Sequence, residues 1–201
     1  MILNQRKQPR QARSQATIDA IIEAAAQLIS AQGLTGFNTN AVAERAGLSI
    51  GSLYQYFPNK DAIMAALIRR TQDERATALR SALAEPYRSL DDLVRAVVHA
   101  VNRQNREQSL LAAVIDLEEA RLPVADEIDG YLDATGSALG EVFARYPTEL
   151  ACVDPARAAR TLPALVRSVI DSWANLDPPQ PQVAEEEAIR AVCGYLGLTR
   201  T

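Results

Sequence analysis

His99 is the only histidine in the 201 residues, which excludes a histidine-rich metal site. Cys152 and Cys193 lie far apart in the chain and share no metal-ligand spacing. A redox pair would need their Cα atoms within about 7 Å. They read as small core residues in a reduced, cytoplasmic setting. No Gly-rich phosphate loop, G-x-S-x-G elbow or paired-cysteine motif is present. Carboxylates crowd at Asp116-Leu117-Glu118-Glu119, and such a run is a solvated face more often than a cation site. No enzyme activity, cofactor or metal is expected. The remaining chemistry is charge. Residues 1–60 carry Arg6, Lys7, Arg10, Arg13, Arg45 and Lys60 against Asp19, Glu23 and Glu44, an excess of three positive charges in a chain of net charge −4. The local sign, not the total, governs contact with phosphates.

The elements that would position these groups read as all-α. Aromatics are 5% of the chain and hydrophobic residues 48%. Neither β-branched runs nor alternation dominates. Residues 1–13 form a flexible basic arm with no apolar period. Ile18, Ile21, Ile22, Ala25, Leu28 and Ile29 then fall on one face of a helix that Gly33 and Gly36 end. Short helices follow at about 39–46, with Asn38 as N-cap, and about 50–56, with Ser49 as N-cap. Pro58 stops the second. A longer helix covers about 60–83, with Asn59 as its cap and Ile63, Leu67, Ile68, Leu79 and Leu83 as its apolar contacts. Beyond Glu85-Pro86 the spacing predicts helices over about 89–105, 108–120, 124–145, 154–175 and 183–197. The second of these uses Leu110, Leu111, Val114, Ile115 and Leu117. The fourth carries a kink at Pro163, and Asp177-Pro-Pro-Gln-Pro181 forms a stiff linker.

The two short helices must pack closely across a tight turn. That needs a small residue at the approach (Ala43), a glycine in the turn (Gly47) and apolar residues facing inward. Val42, Ala46, Leu48, Leu53 and Tyr56 or Phe57 meet the last requirement. The stretch Ala41-Val-Ala-Glu-Arg-Ala-Gly-Leu-Ser-Ile-Gly-Ser-Leu-Tyr-Gln-Tyr-Phe-Pro-Asn-Lys-Asp61 resembles the signature of the TetR (tetracycline repressor) family. The preceding Ile21-Ile-Glu-Ala-Ala-Ala-Gln-Leu-Ile29 is similar to that family's first helix, and the likeness covers about residues 14–68.

The resemblance implies a helix-turn-helix DNA-binding domain at 14–60, a connecting helix at 61–84 and a ligand-binding and dimerisation domain at 85–201. It places the second short helix in the major groove. Ser49, Ile50, Gly51, Ser52 and Gln55 then occupy its exposed start and outer face. Gln55 suits adenine and Ile50 a thymine methyl, while Gly51 permits close backbone approach. Thr39, Asn40, Tyr54, Tyr56 and Lys60 are candidates for phosphate contact. Arg6, Lys7, Arg10 and Arg13 would follow the backbone or enter the minor groove.

One such motif reads few base pairs, so a homodimer on palindromic operator DNA is expected. Its interface is expected from two apolar stripes: Leu162, Leu165, Val166, Val169 and Ile170 on one helix, and Ile189, Val192, Cys193 and Leu196 on the next. The family places a small-molecule effector among the middle helices, and His99, Asn102, Arg103, Asp116, Tyr131 and Trp173 are candidates to line its pocket. The expected function is a cytoplasmic, ligand-responsive repressor with no membrane partner. The alternatives are a small-molecule-binding helical protein and an activator with the same motif.

Overall fold

A computed structural model describes residues 12–107, 109–150, 154–174, 176 and 179–198. The arm up to residue 11, Cys152, Asn175 and Asp177-Pro178 of the expected linker lie outside the described residues. Among those described there is no strand. The helices are α1 (Ala12–Gly36), α2 (Thr39–Arg45), α3 (Ile50–Tyr56), α4 (Lys60–Ala84), α5 (Leu90–Glu107), α6 (Ser109–Arg121), α7 (Ala125–Phe143), α8 (Pro155–Ala174) and α9 (Pro181–Leu196).

Short polar side chains set the helix starts. Asn38 accepts from the Ala41 N–H at 3.0 Å, Ser49 from Ser52 at 3.1 Å, Asn59 from Ala62 at 2.8 Å and Ser89 from Asp92 at 3.1 Å. Each satisfies an amide that has no partner within its helix. Asp154 caps α8 in the same way, accepting from the Ala156 N–H at 3.0 Å. Pro181 is not linker. It is the first residue of α9, where its missing N–H costs nothing. Pro163 lies inside α8, which continues through it as one helix.

The helices group into two units. One is the chain through Gln72 with residues 109–125, and the other is residues 73–107 with the chain from Asp126 onward. So α6, which falls in the segment 85–201, packs on α1 in the first unit. All six apolar residues expected on the α1 face are buried. They share the first unit's interior with Val42, Ala43, Leu53, Phe57, Ile63, Leu67 and Ile68. From α6, Leu111, Val114 and Ile115 are buried, whereas Leu110 and Leu117 face outward.

The second unit is built on α5, α8 and α9 packing against one another. Its core includes Leu90, Leu93, Val98, Phe143, Leu162, Ile170, Val192 and Leu196. Among the described residues no helix is long and apolar enough to cross a membrane.

Candidate nucleic-acid interface

The turn between α2 and α3 rests on one glycine. Gly47 has φ 69, a left-handed conformation that side chains avoid. The chain reverses there with Gly47 N–H donating to Glu44 O at 3.1 Å and Leu48 N–H to Ala43 O at 2.9 Å. Ala43 is buried at the approach, as its small size requires. Leu53 and Phe57 point inward and are fully buried, which turns the opposite side of α3 out. Ile50, Gly51, Tyr54 and Gln55 are on that outer side, all exposed.

Two hydroxyl pairs hold this surface. Ser49 Oγ and Ser52 Oγ are 2.8 Å apart, in addition to the cap that Ser49 makes. Thr39 Oγ1 and the Tyr54 hydroxyl are 3.2 Å apart, tying the start of α2 to the middle of α3. Asn40 and Lys60 are exposed and Tyr56 half-buried. Gln55 differs from its neighbours: no hydrogen bond to its amide is present among the described residues. Its paired donor and acceptor are therefore available to an outside partner.

The first unit also holds contacts that the sequence did not announce. Arg121, at the end of α6, donates from Nη2 to Asp61 Oδ1 at 2.6 Å and from Nε to Glu118 Oε2 at 2.9 Å. Asp61 lies in the first turn of α4, so the latch reaches the helix that follows α3 directly. The hydrogen bonds to Glu118 and then Asp61 hold the guanidinium more firmly protonated than usual. Gln72 on α4 donates to Glu119. Glu118 is thus buried and paired, not a member of a solvated face. No group of His, Cys, Asp or Glu among the described residues is arranged to hold a metal. An open groove of about 410 Å³ is lined by Glu23, Ala26, Gln27, Ser30, Ala31, Arg70 and Leu111. None of the six residues expected around an effector lines it.

Those six stand in different parts of the fold. Asn102 is buried and donates to Pro181 O and Glu185 Oε2, both at 2.9 Å. His99 is exposed, with Nδ1 3.0 Å from Glu185 Oε1. Together they tie α5 to the start of α9. The Tyr131 hydroxyl donates to Asp73 on α4 at 2.9 Å. Trp173 is half-buried and its carbonyl accepts from Gln180 N–H at 3.2 Å. Arg103 is exposed, and Asp116 belongs to the first unit.

The residues of the expected dimer stripes divide between buried and partly covered positions. Leu162, Val166, Ile170, Val192, Cys193 and Leu196 are buried within the chain's own core. The stripes are real, but α8 and α9 use their centres on each other and on α5. Leu165, Val169 and Ile189 are only partly covered. The Cys193 thiol is 3.4 Å from Asp91 Oδ1.

Two short helices, capped in series and locked across a glycine turn with one face turned out, define a helix-turn-helix protein of all-α class. Residues 21–67 match the family described as bacterial regulatory proteins of the tetR family, and residues 89–196 match its tetracyclin repressor-like C-terminal domain. The chain belongs to the TetR family of transcriptional regulators, which are DNA-binding proteins and not enzymes. It is 30% identical over 128 residues to the HTH-type transcriptional repressor KstR of Mycolicibacterium smegmatis, a match covering 62% of this chain and 60% of that protein. The chain thus spans less than two thirds of the length of that relative. Among solved structures, the fatty acid degradation regulator FadR from Bacillus halodurans aligns with a TM-score of 0.71 at 21% identity, covering 92% of this chain and 96% of that one. FadR from Bacillus subtilis in complex with stearoyl-CoA aligns with a TM-score of 0.70 at 18% identity, covering 88% and 98%. At these identities the likeness is one of fold.

Proposed function

We propose that this chain is a homodimeric, cytoplasmic repressor that binds palindromic operator DNA through α3 and is released by a small-molecule effector. The observation that carries the reading is the outer side of α3. Ile50, Gly51, Tyr54 and Gln55 stand out on a helix whose caps and inward residues are all accounted for by the fold. Gln55 would read adenine and Ile50 a thymine methyl. Ser49 and Ser52 would shape the edge of that surface, and Thr39, Asn40, Tyr54, Tyr56 and Lys60 would position it on phosphates.

Leu165, Val169 and Ile189 are the residues of α8 and α9 proposed to meet a second copy. The effector is proposed to bind the second unit, near Arg103, Tyr131 or Trp173. His99 and Asn102, which tie α5 to the start of α9, stay candidates beside them. The B. subtilis FadR complex supports trying acyl-CoA compounds first in a ligand screen.

Mobility shift with the DNA flanking this gene, followed by selection from random duplexes, tests the reading. Tight, sequence-selective binding that Gln55→Ala weakens by about 5- to 150-fold per contact is the expected result, since one paired base contact is worth roughly 1–3 kcal/mol. Folded protein that selects no sequence would overturn the assignment and leave a small-molecule-binding protein. A second measurement concerns the clamp. Thr39→Val and Tyr54→Phe each remove one hydroxyl of a bonded pair, so a double-mutant cycle on DNA affinity is expected to show coupling of about 0.5–3 kcal/mol. Additive losses would mean that the two hydroxyls act independently.

A further inference from the structure

The open groove of the first unit is lined from α1, α4 and α6. Its volume of about 410 Å³ falls within the range of small-molecule sites, roughly 300–1,000 Å³. Ala26, Ala31 and Leu111 give it an apolar lining, and Gln27 and Ser30 add polar groups. An ion pair belongs to the same lining. Arg70 Nη1 on α4 is 3.1 Å from Glu23 Oε2 on α1.

The two members of that pair are not equivalent. The Arg70 side chain is 27% exposed and that of Glu23 55%. The guanidinium is part of the wall, whereas the carboxylate stands mostly in water. Glu23 also has a second partner, since Gln27 donates to its Oε1 at 3.0 Å. Exposed pairs of this kind contribute little to stability. An incoming carboxylate therefore displaces Glu23 at low cost, and the planar fork of the guanidinium matches its two oxygens. A cation would do the reverse. It would draw Glu23 away from the less exposed guanidinium, and charge taken from a partly buried partner costs more.

We infer that this groove is a binding site for a small organic carboxylate, whose charged end takes Arg70 from Glu23 and whose apolar body lies on Ala26, Ala31 and Leu111. The groove is in the unit that carries the helix-turn-helix, whereas the effector proposed above belongs to the second unit. Gln27 also accepts from Arg45 Nη1 of α2 at 3.4 Å, so the polar groups of the groove adjoin the motif. The inference predicts opposite effects from the two halves of one ion pair. Arg70→Gln removes the ligand's anchor and weakens binding at least about tenfold. Glu23→Gln removes the internal competitor and tightens binding about two- to fivefold. Ala31→Phe fills the groove and abolishes binding.

Benzoate is the probe, with benzyl alcohol and benzylamine as its neutral and cationic counterparts. Titration of the full chain, followed by backbone amide NMR, reads both affinity and place. Benzoate is expected to bind at about 1 mM, as suits so small a ligand in an open groove. It is expected to shift the amides of Gln27, Ser30 and Ala31, with both counterparts at least about tenfold weaker. Far-UV helicity checks that each variant is folded. Should Arg70→Gln fail to fold, Glu23→Gln and Ala31→Phe, both at exposed positions, decide the matter. Unchanged or weaker benzoate binding in Glu23→Gln would overturn the inference, as would full binding in Ala31→Phe. Benzylamine binding that Glu23→Gln abolishes would overturn it in favour of a cation site. Shifts confined to the second unit, or none at several times the expected concentration, would overturn it as well. Operator binding is read separately by mobility shift, so none of these outcomes bears on that assignment.

Discussion

Replacing Phe57 by alanine is expected to cost about 3–5 kcal/mol of stability, against roughly 5–15 kcal/mol for a whole domain. The ring is fully buried. Its residue closes α3, with the backbone N–H donating to Leu53 O at 3.0 Å and the chain already extended at φ −126, ψ 123. Pro58 follows and Asn59 caps α4. The side chain thus anchors the point where α3 passes into α4. Its loss leaves a cavity beneath the outward face that Ile50 and Gln55 occupy. Urea unfolding followed by far-UV helicity measures the effect. Phe57→Leu, which keeps most of the volume, is expected to cost less than about 1.5 kcal/mol. The only tryptophan, Trp173, lies in the second unit. Its fluorescence transition is expected to move less than the helicity transition. A loss below about 1 kcal/mol for alanine would show that the ring is not the anchor that its burial indicates.

The motif was legible because its constraints are local. An N-cap bonds a residue three positions away, and a left-handed turn needs a glycine in one place. Asn38, Ser49, Asn59 and Gly47 act within a few residues of where they stand, so spacing was enough to find them. The face of α1 was legible for a related reason: its apolar residues follow one 3.6-residue period, which leaves no choice of side.

Where a helix is apolar on more than one side, the pattern stops deciding. Leu110, Leu111, Val114, Ile115 and Leu117 wrap around α6, and only the neighbour α1 determines that Leu111 goes in and Leu117 goes out. The stripes on α8 and α9 raised the opposite difficulty. Periodicity shows that a face will be covered, but not whether by its own chain or a second copy. Leu162, Ile170 and Val192 turned out to belong to their own core.

Polar partners remote in sequence were illegible for a third reason. Asn102 meets Glu185, Arg121 meets Asp61 and Tyr131 meets Asp73 only once helices are packed. A polar residue on a helix looks alike from its sequence neighbours whether it lines a pocket or ties two helices. The buried carboxylate Glu118 was hidden in the same way, because its partner Arg121 lies in the next turn but its burial comes from packing.

Deleting residues 1–11 is expected to change the salt dependence of DNA binding more than its sequence preference. The segment contains Arg6, Lys7 and Arg10. Each phosphate neutralised by a cation contributes about 0.9 to the slope of log affinity against log salt. Three cations per subunit, doubled in a dimer, therefore account for a slope of about 5 if all of them engage. Raising salt from about 50 to 200 mM would then weaken the full chain roughly a thousandfold more than the truncated one. Base selection is expected to survive, because Ile50, Gly51 and Gln55 are carried by α3 and phosphate contacts position without specifying. A mobility-shift salt series on both proteins with one selected duplex, then a repeat selection with the truncated protein, separates the roles. An unchanged slope would make the arm a solvated tail and leave Lys60 and the Thr39–Tyr54 clamp as the phosphate contacts. A changed sequence preference would instead place arginine side chains in the minor groove, where groove width itself is read.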